Sequence, residues 1–493
     1  MDSRPNIVLV MTDQQRAGFT AGSGFPMDTM PFTDALAARG TRFTQGYTPN
    51  PTCAPARTSL LTGRFPKVHG VRQNSATEHA RYDEDLLDVL RAAGYSLHLA
   101  GKTHMYRGEK DFDSFNAPYW HVSGPGERTE AEQDFDAWLD DLDHGVAAEP
   151  TPHPLESQLP YRIVSDAIEA VDERPGRDDD QPFFMWLSFP EPHNPYQVPE
   201  PYFSLFAEDE LPDRVAGPEA ARAKGGDWAW LQRLIEAKRP GYDDQWRRYR
   251  ANYCGMLRLI DDQVRRFAEH LEAAGLAENT LFIGVADHGD YVGEYGLQRK
   301  GAGLPEVLVR IPYWISGPGV RAQHDDTSLV SLVDLLPTLC ELTGQEIPLG
   351  VQGRSLAPLL AGEAFPAGEF AEMYAEVGFG GIPYGPEDRP ELHFPYGGPT
   401  FDELNSVTMS GHTKMLRRGR HKLTCDSEGR IELYDLEADP AELTDLAADP
   451  DHAGVRAELA EALLRWTIRT DDDLPQAAYT PRRAAHNWRT TTA

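Results

Sequence analysis

Basic residues and cysteines are both scarce in this chain. Lys and Arg number 47 against 78 Asp and Glu, a formal net charge of −31. Such a field repels a polyanionic backbone and an anionic membrane face, which argues against nucleic acid or lipid as the main partner. A small anionic substrate stays open, because a local basic pocket can outvote the net charge. Only four cysteines occur in 493 residues: Cys53, Cys254, Cys340 and Cys425. Their spacing is neither metal-type nor redox-type, so reduced thiols and a cytoplasmic location are expected. Long apolar runs are missing as well. No stretch approaches the ~20 residues of a membrane span, and the run Ile7 to Met11 is too short for the core of a signal peptide. Internal repeats and low-complexity tracts are absent. What remains is a chain 40% hydrophobic and 10% aromatic, enough for a large core with a smaller appendage.

The first two thirds alternates short apolar runs with amphipathic segments. Ile7 to Met11, Tyr95 to Ala100, Pro182 to Phe189 and Thr280 to Ala286 read as buried strands. Tyr253, Met256, Leu257, Ile260, Val264, Phe267 and Leu271 fall at helical spacing and predict one apolar helix face. This alternation predicts an α/β fold with a large, mostly parallel sheet covered by helices on both sides. Each predicted strand runs into polar, reactive residues, and ligands of open α/β sheets bind beyond the carboxyl ends of strands. Asp13, Lys102, His193, Asp287 and His288 are therefore expected to converge.

Near residue 365 the texture changes. Short strands are expected at Glu369 to Glu376, Lys414 to Arg418, His421 to Cys425 and Ile431 to Leu436, then a helix from Ala453 to Thr467. This predicts a catalytic α/β domain over 1–365 and a smaller subdomain with an antiparallel sheet over 366–493. Two stretches show no periodicity, 199–242 and 377–400. Trp228, Trp230, Tyr374, Phe379, Tyr384, His393 and Tyr396 either line a pocket there or pack the subdomain, and packing is favoured for most.

The sharpest local signal is Cys53-Ala-Pro-Ala-Arg57-Thr-Ser-Leu-Leu-Thr-Gly63. A lone cysteine in a Pro-containing loop is usually inert. Arg57 four positions on, and a helix start expected at Thr58, would favour an anion and an activated sulfur. Asp13 alone reads equally as a loop cap, Asp287-His288 as a turn into a helix, and Lys102 or Lys300 as a solvated charge. A histidine between prolines, such as His193, reads equally as a packed side chain.

Cys-x-Pro-x-Arg followed by Leu-Thr-Gly resembles the signature of the formylglycine-dependent sulfatases of the alkaline phosphatase superfamily. The likeness extends in order through Arg4-Pro-Asn-Ile-Val-Leu, Gly101-Lys-Thr-His104, Pro192-His193-Asn-Pro195, Asp287-His-Gly-Asp290, Lys300, Ser331-Leu-Val-Asp-Leu-Leu-Pro-Thr338 and Leu433-Tyr-Asp-Leu-Glu-Ala-Asp-Pro440. This resemblance implies an alkaline-phosphatase-like fold and hydrolysis of a small anionic sulfate ester. It implies that a formylglycine-generating maturation enzyme converts Cys53 to 3-oxoalanine, whose hydrate attacks sulfur with one hydroxyl and expels sulfate through the other. It makes Asp13, Asp287, His288 and residue 53 ligands of one divalent metal, calcium first, with manganese or magnesium as alternatives. It places Arg57, Lys102 and Lys300 around the sulfate, His104 on the second diol proton and His193 on the leaving oxygen. Gln14 and Asn74 are candidate metal or substrate contacts, and His412 is a candidate substrate contact.

Two positions depart from the common pattern. Ala56 stands where many sulfatases have Ser, and Asp13-Gln14 where many have two aspartates. The second departure resembles the choline-sulfatase and phosphonate monoester hydrolase branches. The expected function is therefore a sulfatase, with a phosphonate monoester or phosphodiester hydrolase as the alternative and a catalytically silent binding protein behind both. A homo-oligomer is left open.

Overall fold

The computed structural model describes residues 4–119, 128–142, 145–174, 181–366, 368–380 and 411–471. The large sheet has nine strands: β1 (Asn6–Thr12), β2 (Thr41–Tyr47), β3 (Ser96–Gly101), β4 (Ser114–Asn116), β5 (Phe183–Phe189), β6 (Thr280–Ala286), β7 (Arg310–Ser316), β8 (Gln323–Asp325) and β9 (Val330–Ser331). They lie in the order β4-β3-β5-β1-β6-β7-β2-β8, with β9 also on β2. The central strands β3, β5, β1 and β6 are mutually parallel. The antiparallel pairs are β6 with β7 and β2 with β7.

The parallel core follows from composition. Ile7 to Met11 and Phe183 to Phe189 are buried on both faces, and such strands need cover on each side. One cover is the long helix Trp246–Ala273. Its residues Tyr253, Met256, Leu257, Ile260, Val264, Phe267 and Leu271 are each at most 2% exposed, so the helical stripe read from sequence is the face laid on the sheet.

A second sheet of four antiparallel strands follows: β10 (Glu372–Gly380), β11 (Gly411–Arg418), β12 (His421–Asp426) and β13 (Ile431–Asp435). One face packs Tyr374, Leu416, Leu423 and Leu433 against the helix Ala453–Thr470 and Phe65. The other packs Met373, Ala375, Val377 and Met415 against Tyr47, Leu304, Val309 and Leu329 of the large unit. Small and large units therefore share apolar material along a seam.

Two expectations need correction. The stretch 199–242 is not irregular, because it contains the helices Pro218–Lys224 and Gly226–Lys238. Within it Trp228 and Trp230 are buried beside Tyr291 and Tyr295, and Tyr374 is buried in the small unit, which is the packing favoured for most of these aromatics. Finally, β10 extends into the stretch 377–400 as far as Gly380. Tyr384, His393 and Tyr396 lie outside the described residues. Among the described residues, no helix is long and apolar enough to cross a membrane.

Candidate active site

The register explains how distant residues meet. Thr12 pairs with Phe189 and with Ala286, and Gly101 pairs with Ser188. Parallel strands in register end at one edge. Asp13, Lys102, the 190–197 loop and Asp287 each follow that edge directly. Gly101 makes the last step possible. Its φ is +121°, and a Cβ there would sit 1.9 Å from the Ser188 carbonyl oxygen. Only glycine lets β3 close on β5 at this point, and the Lys102 N–H then donates to that same carbonyl at 2.8 Å.

Cys53 arrives from a helix. The sequence suggests a start near Thr58, but the helix runs Cys53–Thr62. Thr52 gives no side-chain cap; the Asn74 Oδ1 accepts from the Ala54 N–H at 3.0 Å instead. Cys53 thus stands on the first turn of a buried helix, where unpaired N–H groups and the dipole favour negative charge.

The four ligand-type side chains Asp13, Cys53, Asp287 and His288 are buried together, their donor atoms all within 4.8 Å of one another. The Cys53 sulfur, which marks where an oxygen of formylglycine would sit, lies 3.8 Å from Asp13 Oδ1 and 3.3 Å from His288 Nε2. His288 Nδ1 faces the Gly289 carbonyl at 2.8 Å, so it carries the proton and leaves Nε2 as the lone-pair nitrogen facing the cluster. Gln14 is fully buried and held at φ +67°. Both polar atoms of its side-chain amide lack a protein partner, while its N–H donates to Asp287 Oδ1 at 3.1 Å. The backbone of Gln14 touches the cluster and its side-chain amide is buried and unpaired; with two carboxylates and an oriented imidazole, such an amide suits a divalent cation as a neutral oxygen donor.

Cations surround the same point. Lys300 Nζ lies 3.4 Å and Lys102 Nζ 3.9 Å from the sulfur, and Lys102 also pairs with Asp13 Oδ2. Burial and the Asp13 charge push the Cys53 thiol up, but Lys102, Lys300 and His288 outweigh them and hold it well below its ordinary value. Burial likewise opposes ionisation of Asp13, and Lys102 and Arg57 overcome it. Asp287, buried beside that charge, is lifted to about 6. His104, at φ +42°, is buried and interacts electrostatically with the Cys53 side chain, and burial lowers its pKa.

Arg57 reaches the carboxylates rather than open space. Its Nε donates to Asp287 Oδ2 at 3.0 Å, Nη1 to Ser188 Oγ at 2.7 Å and Nη2 to Asp13 Oδ2 at 3.5 Å. His193 is buried in the loop after β5, with Nδ1 2.9 Å from the Asn194 carbonyl. Asp13 N–H donates to the Glu191 carbonyl at 3.2 Å, which ties that loop to the cluster. His412 stands apart: its contacts are Glu376 at 3.6 Å and Arg72 at 3.4 Å. Asn74 caps the Cys53 helix.

Two residues escaped the sequence reading. Ser188, which holds Arg57, is the one hydroxyl in the apolar run Phe183–Phe189, and that oddity was a usable signal. Glu191, pushed by burial to about 8, carried no signal.

A family model described as Sulfatase matches residues 5–345. The chain belongs to the sulfatase family. An arylsulfatase of Clostridium perfringens is 29% identical over 474 residues, covering 90% of each chain. The multifunctional alkaline phosphatase superfamily protein PehA of Trinickia caryophylli is 28% identical, covering 95% of this chain and 96% of its own. Among solved structures, the phosphonate monoester hydrolase of Agrobacterium radiobacter superposes with a TM-score of 0.77 at 25% identity, covering 95% of this chain and 96% of the other. The large mixed sheet with its separate antiparallel sheet is thus the family's alkaline-phosphatase-like architecture.

Proposed function

We propose that this sulfatase-family hydrolase cleaves sulfate monoesters to an alcohol and inorganic sulfate, with Cys53 converted to formylglycine by a maturation enzyme. The observation that carries the reading is the charge around one atom: the Lys300 and Lys102 ammonium groups lie 3.4 and 3.9 Å from the Cys53 sulfur. An anionic ester meets complementary charge there.

Asp13, Asp287, His288, Gln14 and residue 53 would hold the cation, calcium first and manganese or magnesium next. Once bound, it neutralises oxygen charge and makes the hydrated residue 53 more acidic. The chain's own groups do the rest. Lys102 and Lys300 hold protons beside the residue-53 side chain and face the ester oxygens. His104, kept neutral by burial, accepts a proton from residue 53. His193 fixes one proton on Nδ1 toward the Asn194 carbonyl, so Nε2 is the atom that passes a proton to the leaving oxygen. Arg57 holds Asp13 and Asp287 in place. The proposal includes a reducing, cytoplasmic setting, supported by four free thiols.

The phosphonate reading is supported by the superposition on the phosphonate monoester hydrolase and by Gln14 standing where many sulfatases have a second aspartate. Paired 4-nitrophenyl esters decide between them. We expect kcat/KM for the sulfate at least about tenfold above that for the phosphonate, a gap of about 1.4 kcal/mol; the reverse order overturns the sulfatase reading, and turnover of neither, with Cys53 confirmed as formylglycine, favours a silent binding protein.

A further inference from the structure

Three loops carry the cluster: 13–16 after β1, 190–197 after β5 and 287–300 after β6. One turn of the helix Trp246–Ala273 hydrogen-bonds to all three. The Tyr253 hydroxyl donates to the Gln14 carbonyl at 2.7 Å and accepts from the Arg16 N–H at 2.8 Å. It therefore spans the turn in which Gln14 sits at φ +67°. A side-chain-bearing residue held there is strained, and persists only where neighbours enforce it.

One helical turn earlier, the Tyr249 hydroxyl donates to Asp290 Oδ1. The same oxygen accepts from the Val292 and Arg299 N–H groups at 2.8 and 2.9 Å. Asp290 thereby ties the start of the 287–300 loop, with Asp287 and His288, to its end at Lys300. The Tyr196 hydroxyl donates to the other oxygen at 2.9 Å. Between the tyrosines, Asn252 Nδ2 donates to the Tyr196 carbonyl at 2.9 Å and the Ala147 carbonyl at 2.8 Å, fixing the loop that contains His193. Tyr249, Asn252 and Tyr253 are each 0% exposed, and their spacing puts them on one helix face. Packing alone does not account for the hydroxyls. Phenylalanine fills nearly the same volume, and a buried hydroxyl costs free energy unless it is bonded.

We propose that the Tyr249–Asn252–Tyr253 turn is a shared anchor for the site. Tyr253 holds the Gln14 amide against Asp13 so that it joins the metal's donor set, and Tyr249, through Asp290, sets His288 relative to Lys300. These are positioning residues, since none of the three supplies a cluster donor atom. The inference rests on the metal reading of the Asp13 cluster.

Isothermal titration of calcium and, separately, manganese ions into the chelator-stripped full-length protein tests it. Tyr253→Phe is expected to weaken calcium binding about 10- to 100-fold, the effect typical of losing a group that orients metal ligands. Tyr249→Phe is expected to weaken it as well. Tyr95→Phe deletes a hydroxyl bonded to the Pro5 carbonyl at 2.8 Å, near the opposite end of the strands, and should leave the affinity unchanged. Calcium affinity in Tyr253→Phe equal to wild type overturns the proposal, even if the melting temperature falls. If Tyr253→Phe does not fold, Tyr249→Phe decides by the same criterion. Wild-type protein that binds neither ion overturns the metal reading and this inference with it; wild type that binds, beside a Tyr253→Phe that binds equally, overturns the inference alone.

Discussion

Two of the places where the protein buries charge are built differently. At the seam between the sheets, Lys422 Nζ donates to the Leu304 carbonyl at 2.5 Å and pairs with Glu306 at 3.3 Å and Glu442 at 2.8 Å. Glu306 also takes Arg417 at 3.1 Å and the Tyr47 hydroxyl at 2.9 Å, and its N–H donates to Glu442 at 2.8 Å. Two buried cations face two buried carboxylates, with the part-exposed Arg310 3.9 Å from Glu306 at the rim, and the carboxylates are further satisfied by Tyr47 and the Glu306 N–H. At the Asp13 cluster, Asp13 and Asp287 face Arg57, Lys102 and Lys300, with His288 besides. There the cations outnumber the carboxylates, and the Gln14 amide has no protein partner. A closed charge balance marks a joint. An open one, with a polar group waiting, marks a place for something that arrives.

That contrast can be broken from either side. The largest effect is expected from Cys53→Ala, which should lower kcat/KM on the order of 10⁴-fold or more while the circular dichroism spectrum and melting temperature stay close to wild type. Wild-type turnover in that variant would remove the nucleophile from the account. Lys422→Met should do the opposite. It leaves Glu306 and Glu442 buried without their shared cation, at a cost of about 3 to 5 kcal/mol of stability by urea unfolding, while the folded fraction keeps its kcat. A drop in kcat of the folded protein would mean that the seam and the site are not separable.

A smaller effect sharpens the picture with pH. Burial opposes ionisation of Glu376, but the His412 ring 3.6 Å away and the hydrogen bond from the Tyr374 hydroxyl outweigh it and hold its pKa at about 2, below the ordinary 4.5. A depressed carboxylate contributes stability that is present above pH 4.5 and is lost as pH falls toward 2. The shift corresponds to about 3 kcal/mol. Glu376→Gln should therefore trail wild type most at neutral pH, and the gap should close on acidification through that window. A gap that stays constant from pH 7 to pH 2.5 would show that the carboxylate's charge is not what holds β10 to Lys67.

Much of the site was legible because β1, β3, β5 and β6 are plain apolar runs ending in reactive residues, and parallel strands share an edge. Four strand ends thus amounted to one place. In the large sheet, β2 and β7, which pair antiparallel, were not legible. TRFTQGY and RIPYWIS mix arginine, glutamine and proline into the apolar pattern, because they lie nearer the sheet's rim. The start of the Cys53 helix was hidden because its cap, Asn74, comes from 20 residues away and from no local motif. The helices at 218–224 and 226–238 were hidden by Gly225 and Gly226, both at positive φ, which break the helical period between them. The partnerless amide of Gln14 could be suspected from sequence only through resemblance, since partnership is a property of the folded surroundings.

Cys53 is 1% exposed, on a helix buried along its whole length, and that gives the fold a clock. A ribosome adds about 5 to 20 residues each second. Lys422 follows Cys53 by 369 positions (422 − 53), so the seam that closes the structure is made roughly 20 to 70 s after the cysteine appears. During that interval the sulfur lies on a growing chain within reach of other proteins. Afterwards the helix that carries it is packed along its whole length, which shuts out a protein-sized modifying partner.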